Sequence, residues 1–192
     1  MTVTEPTTDF TATEPPLYRW TRDEFVRAWE VGAFERRVEL VEGEVWEVSI
    51  GPWHGETTGQ VIRALPGDGV KITMATLPAG DSLPDPDCWV LRASASPAGT
   101  IGRRLASWRP EDVLLVVEVS DESVTQDLGV KALLYGRAGY AVYWVVTPDA
   151  IYEHTEPTSD GYRTRVTYAP GDHIPVGYAG TGLEVAALLA TS

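Results

Sequence analysis

The chain has 192 residues, a formal net charge of −13, 43% hydrophobic residues and seven tryptophans. That length suits one domain with a real core, and the acid excess argues against a partner held mainly through its phosphates. No apolar stretch approaches the ~20 residues of a membrane span, and the N-terminus lacks a basic start or an apolar signal core, so a cytoplasmic protein with no membrane partner is expected.

The single cysteine, Cys88, rules out an intrachain disulfide, and His54, His154 and His173 have no zinc-ligand spacing. Any metal site must therefore be built from oxygen ligands. Basic residues cluster at Arg36-Arg37 and at Arg103-Arg104 with Arg109, while residues 149–192 hold six acids against two arginines. Taken alone, those arginines read as a solvated surface.

Residues 1–16, rich in Thr, Glu and Pro, read as a disordered lead-in, and residues 17–192 as a single folded domain. Thr21 to Glu24 opens a helical pattern that puts Phe25, Ala28 and Trp29 on one face and ends near Gly32. From Val38 to Val48 apolar and polar residues alternate about Glu42-Gly43, the pattern of a β-hairpin with Glu39 on its polar side. His54 to Leu65 can form a short helix, broken by Pro66-Gly67-Asp68-Gly69. Strands are expected at 70–76 and 87–92, then a loop with a weak helix over 93–110.

The stretch from Val113 to Val119 is apolar on both faces, as in a central strand covered by helices, yet Glu118 sits near its carboxyl end. A charge where burial is expected needs a partner or a task. Ser123 with Gln126 fits a capping box for a helix running to about Ala138, with Gly139 as its stop. On that helix Val124, Leu128, Ala132, Tyr135 and Ala138 share one arc, and Asp127 and Lys131 lie inside it, so both charges should point at the sheet. Lys71 and Lys131 are the only lysines beside thirteen arginines. A strand over 141–146 completes a β-α-β unit and should run parallel to the strand of Glu118. Short antiparallel strands over 151–176 and a closing piece at Val185 to Leu189 finish the chain.

Two carboxylates near adjacent strand ends, Asp87 and Glu118, can share a hard cation such as Mg²⁺ (or Mn²⁺), with the carbonyl of Val119 as a third ligand. Such an ion would polarise a phosphoryl oxygen and acidify a bound water, and Lys131 could orient that water or offset charge on the phosphate. This is the chemistry of phosphodiester hydrolysis.

Several segments carry a resemblance in their order: Val38-Glu39-Leu40-Val41-Glu42-Gly43-Glu44, His54-Gly55, Pro84-Asp85-Pro86-Asp87-Cys88-Trp89-Val90, Val116-Val117-Glu118-Val119-Ser120-Asp121, Asp127 to Tyr135, Ala138-Gly139 and Tyr143-Trp144-Val145-Val146. Over roughly residues 17–190 the chain resembles the Uma-two-type restriction endonuclease family of the PD-(D/E)xK nuclease superfamily. The resemblance implies an α/β restriction-endonuclease-like fold: a central mixed sheet flanked by helices, with an added N-terminal hairpin and C-terminal antiparallel strands. It implies that Asp87 is the aspartate of the PD element, Glu118 the acid of the second element and Glu39 a further site acid, acting on DNA with Mg²⁺. Ser120 stands where the superfamily usually has its lysine, and the family moves that function to the helix, here Lys131. Thr147 replaces an acid that often precedes the proline after Tyr-Trp. A homodimer is compatible with the resemblance, but the sequence does not show one.

Plainer readings stand beside these. Asp87 alone fits a strand-start turn, Glu39 a solvated hairpin acid, and Glu118 a structural acid paired with Lys131. Asp127 reads as an i,i+4 salt-bridge partner of Lys131, His54 as a cap or surface residue, and Tyr135 and Trp144 as core. The alternative function is a catalytically inactive nuclease-fold module that binds a protein or nucleic-acid partner. A small-ligand enzyme lacks a supporting phosphate-binding glycine loop.

Overall fold

The computed structural model describes residues 16–189, so the expected lead-in, except for Pro16, lies outside the described residues. Helix α1 (Arg22–Glu30) starts on a reciprocal cap, in which Thr21 Oγ1 accepts the Glu24 N–H and the Glu24 carboxylate accepts the Thr21 N–H at 2.9 Å. Its buried residues are Phe25 and Val26, whereas Trp29 is 44% exposed, contrary to the expected face. The helix covers only a small cluster with Leu40 and Leu83, so a narrow stripe is enough.

Strands β1 (Val38–Val41) and β2 (Glu44–Glu47) form the expected hairpin. Glu42 and Gly43 both take positive φ, 50° and 83°, as a tight type I′ connection requires. Leu40 and Leu83 exchange backbone hydrogen bonds of 3.2 and 2.8 Å, pinning the hairpin to the segment before Asp85. Glu39 is not on a solvated face: it is only 4% exposed, with Lys131 of the helical stretch lying over it.

The main sheet has six strands in the order β10-β9-β8-β7-β4-β3. These are β3 (Val70–Thr73), β4 (Cys88–Arg92), β7 (Val113–Val119), β8 (Val142–Val146), β9 (Ile151–Thr158) and β10 (Gly161–Tyr168). β7 runs parallel to β8 and antiparallel to β4, so the sheet is mixed and the strand of Glu118 is central. One face of β7, with Leu115, Val117 and Val119, packs under helix α2 (Pro52–Ala64), β11 (His173–Val176), β12 (Thr181–Glu184) and the 3₁₀ turn Val185–Ala187. The other face, with Val116, packs against Tyr135, Tyr143 and helix α4 (Ala132–Arg137). Burial on both faces is what the unbroken apolar run in β7 encodes.

Residues 93–110 differ from expectation. They hold a hairpin of two three-residue strands, β5 (Gly99–Ile101) and β6 (Leu105–Ser107), and a 3₁₀ turn follows at Pro110–Asp112. Strands that short show no readable alternation. The helical stretch after β7 also departs from the expected regular helix. It begins as α3 (Val124–Gln126), widens into a π turn at Asp127–Lys131 and continues as α4. Ser123 forms no capping box, since its hydroxyl donates to Asp127 Oδ2 at 2.6 Å instead. The Ala132 N–H reaches the Asp127 carbonyl, which also accepts from Tyr143 OH at 3.0 Å. Single π turns of this kind occur often at functional sites. Gly139, at φ 84°, ends the helix as expected. Among the described residues, no helix is long and apolar enough to cross a membrane.

Helix α4 lies directly on the backbone of β10, since a Cβ at Gly136 would sit 2.6 Å from the Gly161 carbonyl oxygen. Gly136→Ala should therefore lower unfolding stability by about 3 kcal/mol despite alanine's better helix propensity. Denaturant titration measures this. An unchanged midpoint would mean that helix and strand are not in such close approach.

Candidate active site

Antiparallel pairing of β4 with β7 sets Cys88 against Val117, which puts Asp87, one step beyond the ladder, opposite Glu118. Both carboxylates then lie at the same end of the β4–β7 pair, Glu118 reaching Lys131 and Asp87 reaching His54 of α2. The Val119 N–H donates to Asp87 Oδ2 at 2.7 Å. Because a strand residue's N–H and C=O point to the same side, the Val119 carbonyl opens along that edge too.

The helical stretch supplies Lys131 from above. Its Nζ lies 3.0 Å from Glu118 Oε1, 3.0 Å from Glu39 Oε1 and 3.6 Å from Asp127 Oδ1. The Tyr135 hydroxyl donates to Glu118 Oε1 at 2.9 Å. Glu39 is fixed on its other oxygen, which accepts the Asp85 N–H at 2.9 Å, and Arg37 Nε donates to Asp85 Oδ2 at 2.5 Å. His54, three residues into α2, places Nε2 2.6 Å from Asp87 Oδ1. Glu39, Asp87, Glu118, Val119 and Lys131 thus line one cleft of about 430 Å³, together with His54, Asp127 and Trp46.

Apart from Glu47 and Asp85, which Arg36 and Arg37 hold, four carboxylates face one ammonium and one imidazole here, and the ionisation behaviour follows from that imbalance. Burial pushes Glu118 well above the usual carboxylate range, and although Lys131 opposes this, Asp127, Asp87 and Glu39 push the same way. For Lys131, burial favours the neutral amine, but Glu118, Glu39 and Asp127 outweigh it and hold the ammonium above its ordinary pKa. Burial likewise opposes the charged form of His54, yet the hydrogen bond and charge of Asp87 raise its pKa overall. Tyr135 is kept neutral, first by burial and then by Glu118.

The donor chemistry fits a hard divalent cation. Carboxylates outnumber basic groups in the cleft, and Asp127 Oδ1, 3.6 Å from Lys131 Nζ, is buried without a hydrogen-bond partner. Among the described residues, no three His, Cys, Asp or Glu side chains form a ready-made cage. A cation here would have to draw on two carboxylates and a carbonyl completed by water, a sparse set of the kind Mg²⁺ accepts.

Two neighbours of the site escaped the sequence reading. His54 is neither a cap nor a surface residue: it is 9% exposed and bonded to Asp87, while Gly51 caps the helix by backbone alone, with Pro52 in its first turn. Its signal was a histidine near a helix start that has no need of it as a cap. Tyr135 is core as expected, but its hydroxyl also serves Glu118.

The comparisons agree with this architecture. A crystal structure from Anabaena variabilis, described as "a putative nuclease belonging to DUF820", superposes with a TM-score of 0.63 at 17% identity, covering 88% of this chain and 97% of that one. At that identity the likeness speaks for the fold. Comparison with curated proteins gave no match. The family described as "Uma2: Putative restriction endonuclease" matches residues 22–187. With nearly the whole folded region matched, the chain belongs to the Uma2 family.

Proposed function

We propose that the protein is a divalent-metal-dependent endonuclease that hydrolyses DNA phosphodiester bonds, with Asp87, Glu118 and the Val119 carbonyl holding Mg²⁺. The observation that carries this reading is the meeting of Glu39, Asp87, Glu118 and Lys131, remote in sequence, in one cleft. Membership of the family described as "Putative restriction endonuclease" supports it. A bound Mg²⁺, or Mn²⁺ in its place, would supply Lewis acidity at a phosphoryl oxygen and a more acidic water. Lys131 donates to Glu118 and pairs in charge with Glu39 at 3.0 Å and Asp127 at 3.6 Å, and an N–H that these acids leave open can orient the attacking water or offset charge gathering on the phosphate. Glu39 aims the ammonium, and Tyr135 and Val119 fix the two acids by donating to them. Water adds to phosphorus, the ester P–O bond breaks, and the departing oxygen takes up a proton.

Purified protein should nick supercoiled plasmid and cut single-stranded DNA with Mg²⁺ or Mn²⁺, and chelator should stop it. Cutting that survives chelation would overturn the metal assignment. One observation favours a second reading, a non-catalytic binding module: Lys131, Glu118, Glu39 and Tyr135 already satisfy one another without an added ligand. In that case DNA would be retained at low salt and never cut.

A further inference from the structure

Trp46 is the cross-strand partner of Glu39 in the β1-β2 hairpin. Directly opposed residues of an antiparallel pair project to the same face. The half-buried indole therefore stands beside the Lys131–Glu39 ion pair and forms part of the cleft wall. Its Nε1–H donates to Glu44 Oε2 at 3.1 Å, part of the ring packs on the buried core, and the rest of its surface lines the cleft. The metal scheme has no use for this aromatic surface.

The charges around it limit what the cleft can receive. Glu39, Glu47, Asp85, Asp87, Glu118 and Asp127 line it, against Lys131 and His54. The arginines bonded to cleft-wall acids are already engaged, Arg36 with Glu47 at 2.6 Å and Arg37 with Asp85 at 2.5 Å. A duplex is held chiefly by cations that track its phosphates, and this cleft offers no free row of them. Its volume of about 430 Å³ falls in the ~300–1,000 Å³ range of sites for small ligands.

From these observations we infer that the cleft takes an unpaired nucleotide, its base stacked on Trp46 and its phosphate at Lys131, so that single-stranded DNA is preferred over duplex. The inference rests on the nuclease reading for where the phosphate lies. Stacking on an aromatic face is sequence-tolerant and draws on no phosphate charge. Affinity should thus depend on Trp46 and only weakly on salt.

The test uses the full chain carrying Glu118→Gln, with Mg²⁺, and a fluorescein-labelled oligodeoxynucleotide offered as single strand and as blunt duplex, read by anisotropy. Adding Trp46→Ala should weaken single-strand binding ~5- to 160-fold, the range of one lost base stack, while Trp46→Phe retains most of it. Duplex should bind more weakly and be indifferent to both changes. Between low and physiological salt, single-strand affinity should fall less than ~10-fold, against the ~10³–10⁵-fold of a protein that makes many phosphate contacts. Equal binding of both forms, unchanged affinity in a folded Trp46→Ala protein, or a steep salt slope would overturn the inference. Cleavage by the unmodified chain is scored separately. If it cuts and Trp46 is silent, only the stacking site falls. If Trp46-dependent binding appears and nothing is ever cut, hydrolysis falls and the single-strand site stands.

Discussion

Glu118→Gln should lower metal-dependent DNA cleavage at least ~100-fold while leaving the unfolding midpoint unchanged or higher. The rate falls because the amide is neutral and a poorer ligand for a hard cation. The fold survives because glutamine has the same shape, and its carbonyl can still accept from Lys131 and Tyr135, which lie 3.0 and 2.9 Å from Glu118 Oε1. It also removes one of four carboxylates from a site where burial already disfavours that charge. A plasmid-nicking assay beside thermal unfolding reads both effects. Wild-type nicking by the variant would place the activity in another site or another protein, and a large drop in stability would mean that the acid is structural.

The opposite asymmetry is expected at Lys131. Lys131→Met takes the only ammonium away from Glu39, Glu118 and Asp127, all of them buried. Breaking a buried ion pair from one side typically costs ~3–5 kcal/mol, because the charges left behind have neither water nor a partner. Stability in chelator should drop by about that amount, and Mg²⁺ should restore more of it in the variant than in the wild type, since a cation would then answer the unpaired carboxylates. The cleavage rate should also fall ~10²- to 10³-fold. Chemical unfolding with and without Mg²⁺ checks this. A variant as stable as the wild type would show that the carboxylates shed their charge without help from Lys131.

The contrast between Glu118 and Lys131 also explains what the sequence made legible. An acid ending an apolar strand and a lysine inside an apolar helical arc are both out of place by burial, and each turned out to be the other's partner. The crossover rule placed β8 parallel to β7, which left the opposite edge of β7 for β4 and Asp87. Glu39 was harder to read, because alternation marks a polar side without saying what covers it. His54 was hidden for a similar reason: polar residues are ordinary at a helix start, and only the approach of α2 to the end of β7 makes this one a partner of Asp87. The π turn cannot appear in a 3.6-residue periodicity, which averages over the single wide turn on which Asp127 and Lys131 sit. The β5-β6 hairpin was lost because three-residue strands carry no pattern.

The central claim is that the acids meeting in this cleft hold a divalent cation. Crystals soaked in Mn²⁺ test it most directly, because anomalous scattering locates the ion independently of the protein atoms. One peak is expected, in contact with carboxylate oxygens of Asp87 and Glu118 and with the Val119 carbonyl. An empty cleft at saturating Mn²⁺, or an ion bound elsewhere while Lys131 keeps both glutamates, would contradict it.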